Sequence, residues 1–283
     1  MKERIRNFYR GFIRILRMPE MGVLPGQLAF YFVLSVVPVI SLISYIATVL
    51  NVSSDFLFIF LKNAFSSDVA NMLLSSGISG VSGVKFFIVI IVAFYISSNG
   101  SNSIIVTSNT IYGIKNNNFF QRRIKALVMT LLMLFLIVFI LLVPVFGDNI
   151  VHLISYMELN DVIANRVIWI IRALQSPISW FLIFLIIKLI YTMAPDRRVE
   201  SSKVNYGALF TTIWWVIGTA VYSFYINNVA NYNALFGALA NVVILMLWFY
   251  FIAFIFTVGM AFNYHKEEEE NEKTEALKVI KRQ

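Results

Sequence analysis

From Gly26 to Leu50 the chain runs without a single charged side chain. About 20 mostly apolar residues in a helix cross a hydrocarbon layer of roughly 30 Å, so this run is long enough to span one. Five runs of similar character follow: Phe86 to Ile114, Ala126 to Gly147, Ala173 to Ala194, Asn205 to Asn227 and Ala234 to Phe262. Lipid offers no water to backbone N–H and C=O groups, so each run must form a helix or join a closed barrel. Barrel strands are short and alternate in polarity, unlike these unbroken stretches. The fold class read from the sequence is therefore all-α: a polytopic membrane protein with six transmembrane helices. Composition agrees, with 59% of the 283 residues hydrophobic and 13% charged. Soluble domains sit near about 45–50% and about 25%. Soluble enzymes, disordered chains and secreted disulfide scaffolds are excluded on that ground. The chain has no Cys, which removes thiolate nucleophiles and Cys-ligated metals.

Charge position supplies the orientation. Of 23 Lys and Arg residues, 19 fall in the N-terminal tail (1–25), the second loop (112–126), the fourth loop (187–206) and the C-terminal tail (264–283). Cytoplasmic segments carry the excess of Lys and Arg, so both termini are expected in the cytoplasm. An even number of spans makes the same demand. The net charge of +8 thus reads as topology, and no nucleic-acid partner is expected, since no basic module interleaved with aromatics is present.

Three segments are expected: 1–25, a basic amphipathic helix; 26–263, the six-helix domain; and 264–283, a charged cytoplasmic tail. The N-terminus lacks the short apolar core and small-residue cleavage site of a signal peptide. Arg10, Arg14 and Arg17 recur at i, i+4, i+7, while Ile5, Phe8, Phe12, Ile15 and Leu16 supply an apolar face. Such a helix lies on an anionic leaflet, with docking onto a partner as the rival reading. The tail is helix-prone, with Glu269 and Lys273 spaced i, i+4. Solvation accounts for it; pairing of Glu267 to Glu270 with the basic N-terminal helix is the alternative.

Within the spans, ionisable groups are scarce. Proton-coupled pumps and voltage sensors place carboxylates, His or Arg inside the membrane. Here Lys188 is the exception, separated from Arg172 by only 15 uncharged residues. It either snorkels to the interface or faces a cavity and meets an anionic headgroup.

The second span carries the polar sequence Ser97-Ser98-Asn99-Gly100-Ser101-Asn102-Ser103, continued by Thr107, Ser108, Asn109 and Thr110. Asn99, Asn102 and Asn109 fall within roughly 80° on a helical wheel. Polar groups must be satisfied in lipid, so this face is expected to point into the bundle or into water. Two readings stand: hydrogen-bonded packing between helices, or a helix broken at Gly100 that lines a binding cavity. Asn99, Asn102, Ser103, Asn109 and Lys188 are the candidate substrate-binding residues. Pro38, Pro144 and Pro177 can kink the first, third and fourth spans. The stretch 227–241, rich in Asn and including Tyr232, with Tyr225 just before it, suits a membrane interface. The outer loop 51–85 has room for a helix carrying Phe56, Ile59, Phe60 and Phe65.

An enzyme is not expected. His152 and His265 fall on opposite sides of the membrane, and Asp148 with His152 is only a lone i, i+4 pair. No nucleophile elbow, P-loop or Rossmann glycine pattern occurs, and neither a metal nor a cofactor is implied.

The residues assembled above resemble the YihY/BrkB family of bacterial inner-membrane proteins, also called ribonuclease BN-like. Leu28-Ala29-Phe30-Tyr31 with Leu34-Ser35 and Pro38 looks like that family's first-helix motif. Asn109 with Ile111-Tyr112-Gly113 is similar to its Asn-x-Ile-Tyr segment. Pro195, Gly207-Ala208, Trp215, Tyr232, Gly237, Leu239, Trp248, Gly259 and Asn263 follow in the family's order. Two positions depart: Phe236 stands where Tyr is usual, and Met260-Ala261 replaces a common Ala-Glu pair. A mechanism resting on that Glu would not transfer. The resemblance implies six helices in the bacterial cytoplasmic membrane and an envelope role.

The leading expectation is a transporter or flippase-like protein, not driven by ATP, with membrane lipids or a lipid-linked amphiphile as its partners. A non-transporting scaffold for envelope machinery is the alternative, and a membrane-bound ribonuclease the third. A homo-oligomer is left open, and an inverted repeat of three plus three spans finds no sequence self-similarity.

Overall fold

Six apolar runs become six membrane-length helices, joined by two short helices, in a computed structural model that describes residues 13, 15–49, 55–64, 67–75, 84–156, 161–228, 236 and 239–280. A 3-10 turn (Pro19–Gly22) leads into α1 (Leu24–Val49). The short helices α2 (Asp55–Ala64) and α3 (Ser67–Ser75) precede α4 (Val84–Ile111). Then come α5 (Phe119–Tyr156), α6 (Asp161–Met193), α7 (Asn205–Asn228) and α8 (Ala240–Ile280). Among the described residues there is no strand.

The central helices are α1, α4 and α8. α4 packs along α1 and α5, α8 along α1 and α7, and α6 bridges α5 to α7. α6 is the most exposed, with Trp169, Leu174, Ile178 and Phe181 all turned outward. Such apolar exposure belongs against lipid.

At one end, Ile15, Met21, Leu24, Ile111, Tyr112, Ala194 and Val204 share a buried cluster. The segment before α1, the α4–α5 loop and the α6–α7 loop therefore lie together, on the end where the basic loops cluster. Ile15 is buried in that cluster, so it packs on the bundle itself. Arg17 is exposed, and Arg10 and Arg14 lie outside the described residues. At the other end Leu61, Val69 and Leu73 of α2 and α3 pack on Ile40, Ile244 and Leu245. The outer loop thus covers the ends of α1 and α8, leaving Ile59 exposed.

Two boundaries differ from the sequence reading in a way that matters for the site. The third span starts at Phe119 instead of Ala126, which brings Arg122, Arg123 and Lys125 onto the helix. Their aliphatic stems tolerate an apolar flank, so charge count alone misplaces this start. The sixth helix starts at Ala240 and continues without interruption through the tail to Ile280. There Glu267 bonds Arg197 at 2.5 Å and lies 3.9 Å from Lys203, both in the α6–α7 loop.

Candidate functional site

The polar patch of the second span does not break its helix. α4 runs unbroken through Gly100, whose N–H donates to Ser35 Oγ at 3.1 Å. The glycine serves close approach: a Cβ there would come within 3.2 Å of Ser35 Oγ and 3.6 Å of Phe32.

The patch divides around the helix. Ser97, Gly100 and Ser101 face inward and, with Ser35 and Thr130, line a cavity of about 150 Å³. Ser101 and Thr130 hydroxyls meet at 2.7 Å. A space of that size holds several waters and no lipid headgroup with its chains. Ser103, Thr107 and Ser108 are also buried, and their hydroxyls have no hydrogen-bond partner among the described residues.

Asn99 and Asn102 sit on the other side. They continue, at helical spacing, the stripe of Ile88, Ile91, Val92 and Tyr95, all exposed apolar or aromatic side chains. This is the membrane-facing flank of α4. Two arginines from the start of α5 cover it: Arg122 Nε donates to Asn102 Oδ1 at 3.1 Å, and Arg123 Nη1 to Asn99 Oδ1 at 2.9 Å. Arg123 Nη2 also donates to the Tyr95 carbonyl at 2.7 Å, and its guanidinium lies 3.6 Å from the Tyr95 ring centroid. Arg123 Nε is buried and unpartnered.

Asn109 is wholly buried and serves a different purpose. Its Nδ2 donates to Asp196 Oδ2 at 2.7 Å and to Asn116 Oδ1 at 2.9 Å, while its Oδ1 accepts from the Asp196 N–H at 2.8 Å. Lys125 Nζ reaches Asp196 Oδ1 at 2.7 Å and the Ala194 and Pro195 carbonyls at 2.8 Å each. α4 ends just beyond, where Gly113 (φ 62°) forms an αL cap with Gly113 N–H to Thr110 O and Ile114 N–H to Asn109 O. Burial raises the Asp196 carboxyl, but Lys125, the Asn117 N–H and Asn109 outweigh it and hold the pKa below the usual carboxylate value. Tyr112, beyond the span, has its phenol pushed up by burial first and by Glu267 second, against the opposing Arg197.

Lys188 is half-buried, follows the exposed Phe181 and Leu185 along α6, and meets no carboxylate among the described residues. The structure therefore groups Asn99 with Asn102, sets Asn109 apart at the basic end, and places Lys188 on another helix. Arg122, Arg123, Lys125 and Asp196 were not singled out from sequence. The signal for the arginines was a basic pair opening a span that follows a polar-faced one. Asp196 gave none, being 87 residues from Asn109.

Comparison with known proteins agrees with this architecture. Residues 16–282 match the family described as virulence factor BrkB. The putative ribonuclease-like protein YfkH of Bacillus subtilis is 30% identical over 157 residues, covering 55% of this chain and 56% of that protein. A UPF0761 membrane protein of Idiomarina loihiensis is 28% identical over 102 residues, 35% of this chain and 36% of its own. Another from Pasteurella multocida is 32% identical over 73 residues, 26% of this chain and 23% of its own. The chain thus spans little more than half of the Bacillus relative and about a third and a quarter of the other two. No solved structure matches. With six apolar helices, these similarities place the chain in the bacterial inner membrane as a multi-pass protein.

Proposed function

The chain belongs to the virulence factor BrkB family, and we propose that it handles a lipid or lipid-linked amphiphile as a flippase-like transporter not driven by ATP. One observation carries the reading: Asn99 and Asn102 stand on the membrane-facing flank of α4, with Asn99 at the middle of the apolar stretch Phe87–Ile111. Both amides are half-buried beneath Arg122 and Arg123, and a polar group at that depth lowers the cost of bringing a headgroup through hydrocarbon. The small serine-lined cavity lies on another side of the same helix, among α1, α4 and α5.

Lipid scrambling in proteoliposomes tests this. Wild type is expected above the protein-free background, and Asn99→Leu with Asn102→Leu close to it. Wild type at background would sink the transport reading.

A scaffold is the second reading, supported by α8, which continues as helix past Glu267 to Ile280. It requires that deletion of residues 1–18 abolish function while the Asn substitutions leave it intact. The name of the Bacillus relative raises a ribonuclease. No cluster of three His, Asp or Glu side chains exists among the described residues, and we place this reading third.

A further inference from the structure

Arginines near the end of a membrane helix ordinarily extend toward the interface, where water solvates the charge. Arg122 and Arg123 do the reverse. They lie in the first turns of α5, yet their contacts fall at Tyr95, Asn99 and Asn102, deep in α4. Asn99 is 12 residues from Ile111, the last residue of α4, or about 18 Å along the helix at 1.5 Å per residue. Both guanidiniums are drawn toward the middle of the bilayer.

What holds them there is neutral. The acceptors are two amide oxygens, one backbone carbonyl and an aromatic face. Neither guanidinium meets a carboxylate among the described residues, since the nearby Asp196 is taken by Lys125 and Glu267 by Arg197 and Lys203. Charges inside membranes pair with opposite charges, bond backbone carbonyls, as Arg123 does at Tyr95, or face water. Here two positive charges bond amides one helical turn apart with no counterion among the described residues, and the Arg123 Nε–H has no acceptor among them. Planar guanidinium forks suit tetrahedral oxyanions, to which they donate paired hydrogen bonds.

We propose that Arg122 and Arg123 bind the phosphate of an anionic lipid drawn below the interface on the α4–α5 flank, with Asn99 and Asn102 holding the two forks in register. The lipid chains lie along the exposed stripe of Ile88, Ile91 and Val92. The ligand is a lipid phosphate and not free phosphate, because the flank faces hydrocarbon. The site rests on the reading of this flank as a surface for amphiphiles, but not on transport.

Native mass spectrometry of the detergent-solubilised full chain measures retention of added phosphatidylglycerol, of diacylglycerol, and of phosphatidylglycerol in excess inorganic phosphate. Wild type is expected to retain phosphatidylglycerol at least tenfold over diacylglycerol, and inorganic phosphate not to displace it. Arg122→Gln with Arg123→Gln should lose that preference. Arg122→Lys with Arg123→Lys, which keeps charge and loses the forks, should weaken it several-fold. Arg198→Gln, on the α6–α7 loop, should not change it. Equal retention of the two lipids by wild type, an unchanged preference in the Gln pair, or displacement by inorganic phosphate would each overturn the site. Scrambling without phosphate preference would overturn it while leaving the transport reading intact. Retention through the arginines without scrambling would uphold it and remove transport.

Discussion

Asp196 accepts from Lys125, Asn109 and the Asn117 N–H while its own N–H donates back to Asn109. Its side chain is 1% exposed, against 24% for Lys125. Removing one partner of a largely buried pair strands the other, so Asp196→Ala should cost about 2–4 kcal/mol, reduced from the fully buried case because Lys125 retains some solvent. The loss reads as a lower unfolding midpoint in detergent. The carboxyl is depressed in the folded state, so its stabilisation is complete above the ordinary Asp value of about 3.9 and disappears as pH falls through the lower folded value. Asp196→Asn should remove that acid limb of the stability profile, and a limb unchanged in the variant would count against the assignment. Asn109 was legible from sequence as a polar residue at the end of a span. Its role was not, because a hydrogen-bonded partner 87 residues away in a loop leaves no periodic trace.

At the level of helices, α7 and α8 meet at a glycine crossing. The Gly207 N–H donates to Asn263 Oδ1 at 2.8 Å, and a Cβ on Gly207 would run into the Gly259 carbonyl and Asn263. A Cβ on Gly259 would strike Thr211 Oγ1 and the Tyr191 hydroxyl, which donates to the Phe256 carbonyl at 2.7 Å. Trp215 Nε1 reaches the Ile252 carbonyl at 3.0 Å, and Tyr222 bonds the Ile244 carbonyl. In lipid no hydrophobic force distinguishes helix from solvent, so close packing and such bonds hold helices together. Gly259→Ala should therefore destabilise by about 1–3 kcal/mol through overpacking. Gly26→Ala, where nothing lies within 4 Å, should be neutral or mildly stabilising. Equal midpoints for the two variants would dismiss the crossing as a stabilising contact. The motif residues Gly207, Trp215, Gly259 and Asn263 thus explain themselves as packing. The helices were legible from hydropathy because lipid imposes length and polarity. Where neighbouring side chains cross a boundary, as Arg122 and Arg123 do, a one-dimensional scan reads charge as loop. The Asn99–Asn102 face was expected to point into the bundle or into water; it is half-buried and hydrogen-bonded to arginines of α5, partners that no helical wheel of α4 alone could show.

For the whole molecule, the placement of charge predicts sidedness. The described contacts bring the segment before α1, the α4–α5 loop, the α6–α7 loop and the start of the α8 extension to one end, and 19 of the 23 basic residues fall in the segments associated with that end. Basic residues near span ends resist translocation, so this end should face the cytoplasm. The same orientation places Arg122 and Arg123 so that they draw lipid phosphate from the inner leaflet, where anionic headgroups are concentrated. Because the natural chain has no Cys, single thiols can be introduced without background. Ser202→Cys, exposed in the α6–α7 loop, should react with an impermeant maleimide only after the membrane is opened. Ser67→Cys, exposed at the start of α3 on the opposite end, should react in intact cells. The reverse pattern would invert the topology and place the arginine pair against the outer leaflet. Labelling of both thiols in intact cells would contradict a single orientation altogether.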